Sequence, residues 1–251
     1  AYPSFLTYTP LDGDPVQFVH DVSCVATAGV GGCGFEQPLE AVLKALSPSS
    51  PTAYTGPAFA PPTFFGGTLG HALDANAGFV RDESLLAVVL LTDEEDCSVS
   101  DPELFDPMSL RYAGDLNLRC FLHPTAVQPV QRYVDGLLAL RRNRPDLLSF
   151  SVIAGVPTDL AAPRPTAEDF DRILADPRMQ EQLDPVEPNR LRPSCDVPGR
   201  GLAFPPRRLV QVAQGLGPAR SSIHSICDGD LRPAAEAIAT LVGRRACSQF
   251  E

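Results

Sequence analysis

Between Ser84 and Thr92 the chain is apolar without interruption, 85-LLAVVLL-91, and shows no alternation of polar and apolar positions. That pattern predicts a central strand buried on both faces, as in a parallel sheet. A second apolar run, 147-LLSFSVIAGVP-157, predicts another buried strand, and 220-RSSIHSICD-228 alternates enough for an edge or near-edge strand. Helical spacing recurs between these runs. Phe35, Leu39, Val42, Leu43 and Leu46 share one face, and Pro38, tolerable only in a first turn, starts that helix near Glu36 or Gln37. Val127, Val130, Val134, Leu137 and Leu138 stripe a helix from about 126 to 142. Shorter helices are predicted over 166–175 and 206–216, and a closing helix over 231–242 with Gly243 as its stop. Residues 1–23 show no clear period.

The order helix, strand, helix, strand, helix, strand, helix predicts an α/β fold. It would be an open, mostly parallel, Rossmann-like sheet with helices on both faces. Pro-, Gly- and Ser-rich composition makes 47–83 and 157–205 long loop insertions in a single domain spanning 1–251. Such a length supports one sizeable core.

Composition narrows the function. The net charge is −11, with Lys44 as the single lysine, so neither nucleic acid nor an anionic membrane surface is a natural partner. No apolar run approaches the roughly 20 residues a membrane span needs. Seven cysteines are dispersed with no Cys-x-x-Cys, and the histidines at 20, 71, 123 and 224 sit at no zinc-finger interval. Dispersed cysteines suggest disulfides and an oxidising compartment. Local loop closure pairs Cys24 with Cys33, Cys97 with Cys120 and Cys195 with Cys227, leaving Cys247 over; buried reduced thiols are the alternative.

Candidate chemistry concentrates in 92-TDEEDCSVS-100. In open α/β sheets sites form at the carboxyl ends of strands, and Asp93 is the first acid past a buried strand. Hard cations take carboxylate and hydroxyl oxygens, which Thr92, Asp93, Glu36, Asp96, Ser98 and Ser100 could supply. Against this, an acidic run is by default a solvated loop, and Glu36 could simply complement a helix dipole. Neither a nucleophile elbow, nor a phosphate loop, nor an HExxH motif is present.

The stretches 29-GVGGCGFEQPLEAVLKAL-46 and 85-LLAVVLLTDEEDCS-98 together resemble the von Willebrand factor type A fold. More narrowly they resemble secreted or lipid-anchored bacterial proteins of that type, common in myxobacteria. The runs 132-RYVDGLLALR-141, 176-DPRM-179 and 222-SIHSICD-228 extend the resemblance over most of the chain from Cys24 to Leu241. It implies a divalent-metal adhesion site from three loops: Asp-x-Ser-x-Ser after the first strand, a Thr before a helix, and an Asp after the fourth strand. Asp93 matches the last. Glu36 stands near the position of the Thr. Asp96, Ser98 and Ser100 have the letters of the first loop but follow the wrong strand, and Asp21-Val22-Ser23 is a near miss.

The resemblance therefore implies a non-catalytic, cell-surface or secreted binding module, presenting Mg²⁺, Ca²⁺ or Mn²⁺ to a protein or surface-polymer ligand. A scaffold with a degenerate metal site and a metal-dependent hydrolase are the alternatives. With the first strands missing, strand 84–92 would lie at a sheet edge, an aggregation hazard. An upstream segment or a second chain is expected to complete the sheet, unless residues 4–9 or 16–25 substitute for it.

Overall fold

The computed structural model describes residues 3–11, 13–27, 29, 34–48, 64, 68–141, 144–199 and 201–247. Three strands, β1 (Leu86–Leu91), β2 (Leu148–Ala154) and β5 (Ser221–Ser225), form a parallel sheet in the order β1-β2-β5. A short antiparallel ribbon joins β3 (Cys195–Val197) to β4 (Gly201–Ala203). The helices are α1 (Pro15–Ala26), α2 (Pro38–Leu46), α3 (Arg119–Leu122), α4 (Val130–Ala139), α5 (Ala167–Ala175), α6 (Arg207–Leu216) and α7 (Arg232–Cys247). The chain is thus an α/β protein with a small parallel sheet. No helix among the described residues is long and apolar enough to cross a membrane.

Alternation along the strands decides what each face carries. Leu86, Val88 and Leu90 of β1 pair in register with Leu148, Phe150 and Val152 of β2, and Ile223 of β5 continues the row. These side chains form the main core with Leu39 and Leu43 of α2, Tyr133 and Leu137 of α4, and Leu209 and Leu216 of α6. The other face carries Ser149 and Ser151 of β2 and Ser222 and His224 of β5, where the Ser222 hydroxyl donates to Ser151 Oγ at 2.8 Å. Helix α7 touches β2 and β5 and contributes nothing to the main core, so it covers this second face. Small hydroxyl side chains let it approach closely.

Several expectations are corrected. β1 is not buried on both faces: Ala87, Val89 and Leu91 are exposed, Val89 by 47% and Leu91 by 62%, because α7 does not reach over them. Its neighbour β2 is buried at every position. β5 does stand at an edge of this sheet, as expected, but is not exposed there. All five residues are buried, and Ile223 exchanges both backbone bonds with Ala162, which closes its outer edge. Residues 15–26, aperiodic by the reading above, form α1, capped by Asp14, whose carboxylate accepts from Val16 N at 2.8 Å. Helix α4 begins at Val130 because Pro129 stands at its N-cap. Helix α7 runs through Gly243 to Cys247.

Other expectations hold. Gln37 is the N-cap and Pro38 the first residue of α2. α5 starts in a reciprocal capping box between Thr166 and Asp169. Within 157–205 the chain is long but not formless: it carries α5 and the β3–β4 ribbon. Much of 47–83 lies outside the described residues, as does most of the glycine-rich approach at 30–33. Among the described residues β1 lies at an edge of the sheet.

Candidate functional site

The loop leaving β1 is held at both ends. Thr92 N donates to Ile153 O at 3.2 Å, and the Thr92 hydroxyl accepts from Glu94 N at 3.1 Å. Asp93 is exposed, and its carbonyl accepts from Phe204 N at 2.8 Å, tying the loop to the ribbon. Gly155, just past β2, makes room for that crossing: a Cβ there would lie 2.3 Å from Phe204 O.

Two further acids of the run, Glu95 and Asp96, turn inward and serve two helix starts. Neither α2 nor α6 has a side-chain cap of its own. Asp96 Oδ1 accepts from Leu39 N at 3.0 Å, and Ser98 Oγ accepts from Glu40 N at 3.1 Å while donating to Asp96 Oδ1 at 2.7 Å. Asp96 and Ser98 thus supply the cap of α2 from far away in sequence. Glu95 does the same for α6, its two oxygens accepting from Arg208 N at 3.2 and 2.9 Å. Arg208 closes the circuit: its Nε donates to Asp96 Oδ2 at 3.0 Å, and its Nη2 donates to Gln128 O at 2.8 Å. The Asp96 side chain is fully buried. Glu36 joins through its backbone, its carbonyl accepting from Cys97 N at 2.7 Å.

The expected metal ligands therefore separate. Asp96 and Ser98 are committed to a helix cap and an arginine. Ser100 is exposed on a segment bridged to Ala126. Glu36 and Asp93 line different cavities. Among the described residues no three His, Cys, Asp or Glu side chains form a group that could hold a metal ion. Of the expected ligands, Asp96 and Ser98 are thus taken up by the cap of α2, whereas the charges of Asp93 and Glu36 both reach Glu94.

What the acids do build is a cleft of about 290 Å³ at the carboxyl end of the sheet. Glu36, Glu94, Glu95 and Glu181 line it, with Phe35, Phe121 and Phe204 as apolar walls. Burial, reinforced by the nearby charges of Asp93 and Glu36, pushes the Glu94 carboxyl up to about 7. Burial and the charge of Glu181 push Glu95 up to about 8, against the opposing pull of its hydrogen bonds to Arg208 and Asp96. Burial also raises Glu181. Arg190 reaches the rim but is paired with Asp184 at 3.0 Å and Glu187 at 3.1 Å.

Two disulfides brace this end of the molecule. Cys97–Cys120 ties the acidic loop to α3 and forms part of the cleft wall, and Cys195–Cys227 ties the ribbon to the exit of β5. Both pairs are those expected. Cys24 and Cys247 carry free, exposed thiols, and Cys33 lies outside the described residues.

Glu40, Arg132, Glu181 and Arg208 escaped the sequence reading. Arg132 grips the buried Glu40 through Nη2 at 2.8 Å and Nε at 3.1 Å, and the Tyr133 hydroxyl donates to the same carboxylate at 2.9 Å, locking α2 to α4. Glu40, set directly beside Leu39 on the apolar face of α2, was the one local signal for this pair. Nothing local marks Glu181 or Arg208.

No family model, no curated protein and no solved structure matches this chain. What the molecule itself defines is the class: a disulfide-braced α/β protein with an acidic cleft where its parallel strands end.

Proposed function

We propose that this chain is a non-catalytic binding module of an oxidising, extracytoplasmic compartment. It holds a positively charged group of a protein or surface-polymer ligand in the cleft at the carboxyl end of the sheet. The observation that carries this reading is the lining of that cleft, four glutamates with three phenylalanines. Crowded carboxylates are relieved by a cation, and ring faces attract an ammonium or guanidinium that has shed water. The disulfides favour the compartment. The β1-β2-β5 order, with helices over both faces, is compatible with the open, von Willebrand factor type A-like sheet that the sequence resembles.

Calorimetric titration with an arginine-rich peptide at low salt tests the proposal. The peptide is expected to bind, and Glu94→Gln with Glu181→Gln to weaken it at least about tenfold, the loss of roughly 1.4 kcal/mol. Binding unaffected by that pair of substitutions would sink the reading. Divalent cations are the competing occupant, favoured by the approach of Asp93 and Glu36 to Glu94. On that reading Mg²⁺, Ca²⁺ or Mn²⁺ raises the melting temperature and Asp93→Ala abolishes the rise. A chain that takes neither is a scaffold, the role to which the helix-capping use of Glu95, Asp96 and Ser98 would then reduce.

A further inference from the structure

The sheet has one protected edge and one open edge. β5 is closed by Ala162, whereas β1 has no strand partner on its outer side among the described residues. Backbone polarity alternates along a strand, so the unpaired groups can be named. Thr92 N donates to Ile153 O, and Leu91 stands opposite Ile153. The even-numbered residues therefore point their N–H and C=O groups at β2. Ala87, Val89 and Leu91 present theirs outward. The same three residues carry the exposed apolar side chains of the second face. One short row thus offers both unpaired backbone groups and uncovered apolar surface, the combination that templates strand addition.

We infer that β1 is a self-association edge and that its occupant is a second copy of this chain, added antiparallel about a twofold axis through Val89. The register argues for that occupant. Pairing about Val89 sets Val89 against Val89 of the second copy and Ala87 against its Leu91. Every facing pair then consists of residues whose N–H and C=O already point outward, so each pair exchanges two backbone bonds. The side chains are matched in size, the small Ala87 receiving the large Leu91. Both outer faces stay on the same side of the joined sheet, so the apolar patches merge and Val89 is partly withdrawn from water. The contact is isologous and closes, giving a dimer rather than a fibre.

The size of the contact sets its strength. A six-residue edge is about 20 Å long, at the small end of specific interfaces, which bury roughly 800 Å² per partner. The dimer is accordingly weak, in the micromolar range. Each chain carries a net charge of −11, so the two copies repel and added salt tightens the association.

Sedimentation velocity of the chain across the micromolar range, with Cys24→Ser and Cys247→Ser to remove the exposed thiols, tests this. A concentration-dependent dimer that strengthens with salt is expected. Val89→Lys should weaken it at least about tenfold while circular dichroism stays unchanged, since Val89 is half-exposed and its loss opens no cavity. Val89→Cys in the same background should be crosslinked to its counterpart by a short bismaleimide far more efficiently than Leu110→Cys, an exposed position off the edge. A monomer throughout the range, a dimer indifferent to Val89→Lys, or a strand-bearing polypeptide of another kind seated on β1 would each overturn the inference.

Discussion

Asp96 illustrates how one side chain can look like a ligand and act as a strut. Its carboxylate bridges the start of α2 and the guanidinium of Arg208 with no exposure to water. Removing it uncaps a helix and strands a half-buried arginine. Losing one partner of such a pair costs about 3–5 kcal/mol, and losing a cap about 1 kcal/mol. Asp96→Ala is therefore expected to lower stability by roughly 3 kcal/mol or more in urea titrations, whereas Ser100→Ala is expected to change little. Glu94 behaves differently. Its carboxyl, raised to about 7, faces the cleft rather than a helix start. A bound cation favours its ionised form, so affinity for a basic peptide should rise as pH increases from 6 to 8, and Glu94→Gln should flatten that rise.

At the scale of elements, α1 is the least supported. None of its residues is buried, and Val16, Val19, Val22 and Val25 stand exposed along it. A twelve-residue helix without tertiary packing is marginal in water. Limited proteolysis should therefore cut within residues 15–26 before it touches the sheet, and Asp14→Ala should speed that cut by removing the cap. α1 also shows where the sequence was silent. Its four valines recur every third residue, but His20, Asp21 and Ser23 blur the stripe, and with no core to face, nothing sharpened it. α6 was legible because Leu209, Val210, Val212, Ala213 and Leu216 make one apolar face that the core buries, whereas the capping box of α5 and the positive φ of Gly217 came only with the structure. For β1, an all-apolar strand does not say whether both faces are covered; that depends on the reach of α7. The site was legible in place but not in role. Thr92 and Asp93 at a strand end were readable, whereas the use of Glu95 and Asp96 as caps depends on Leu39 and Arg208, distant in sequence.

The whole molecule combines two opposed titrations, and their balance sets where it is most stable. Glu94 and Glu95 titrate at about 7 and about 8 in the folded chain, above the ordinary value of 4.5. The folded state thus holds their protons more tightly than the unfolded state. That contribution is complete below about 4.5 and is lost as pH rises through 7 and 8. His224 acts in the other direction. It is 3% exposed beneath α7, its Nε2 has no hydrogen-bond partner, and burial lowers its pKa below the ordinary 6.5. The unfolded chain binds that proton first, so its contribution to stability falls as pH drops below about 6.5. Further down, Asp169, lowered to about 2 by Arg172 and the Thr166 cap, withdraws its share, as do Asp159 and Asp176, lowered by Arg178, and Asp184, lowered by the Val186 N–H. Between about 4.5 and 6.5 the two glutamates outweigh the single histidine, so stability measured by scanning calorimetry should peak near pH 4.5 to 5, decline from there up to about 8, and decline again in acid. Glu95→Gln keeps the shape of the group but not its titration, so it should remove much of the decline between about 4.5 and 8 and leave the acid limb in place. His224→Phe should leave the profile above pH 6.5 unchanged and steepen the decline between about 4.5 and 6.5, where the histidine opposes the glutamates. A decline above pH 4.5 left undiminished by Glu95→Gln would place the controlling charge elsewhere than in the bridge between β1 and α6, whereas the part owed to Glu94 should remain.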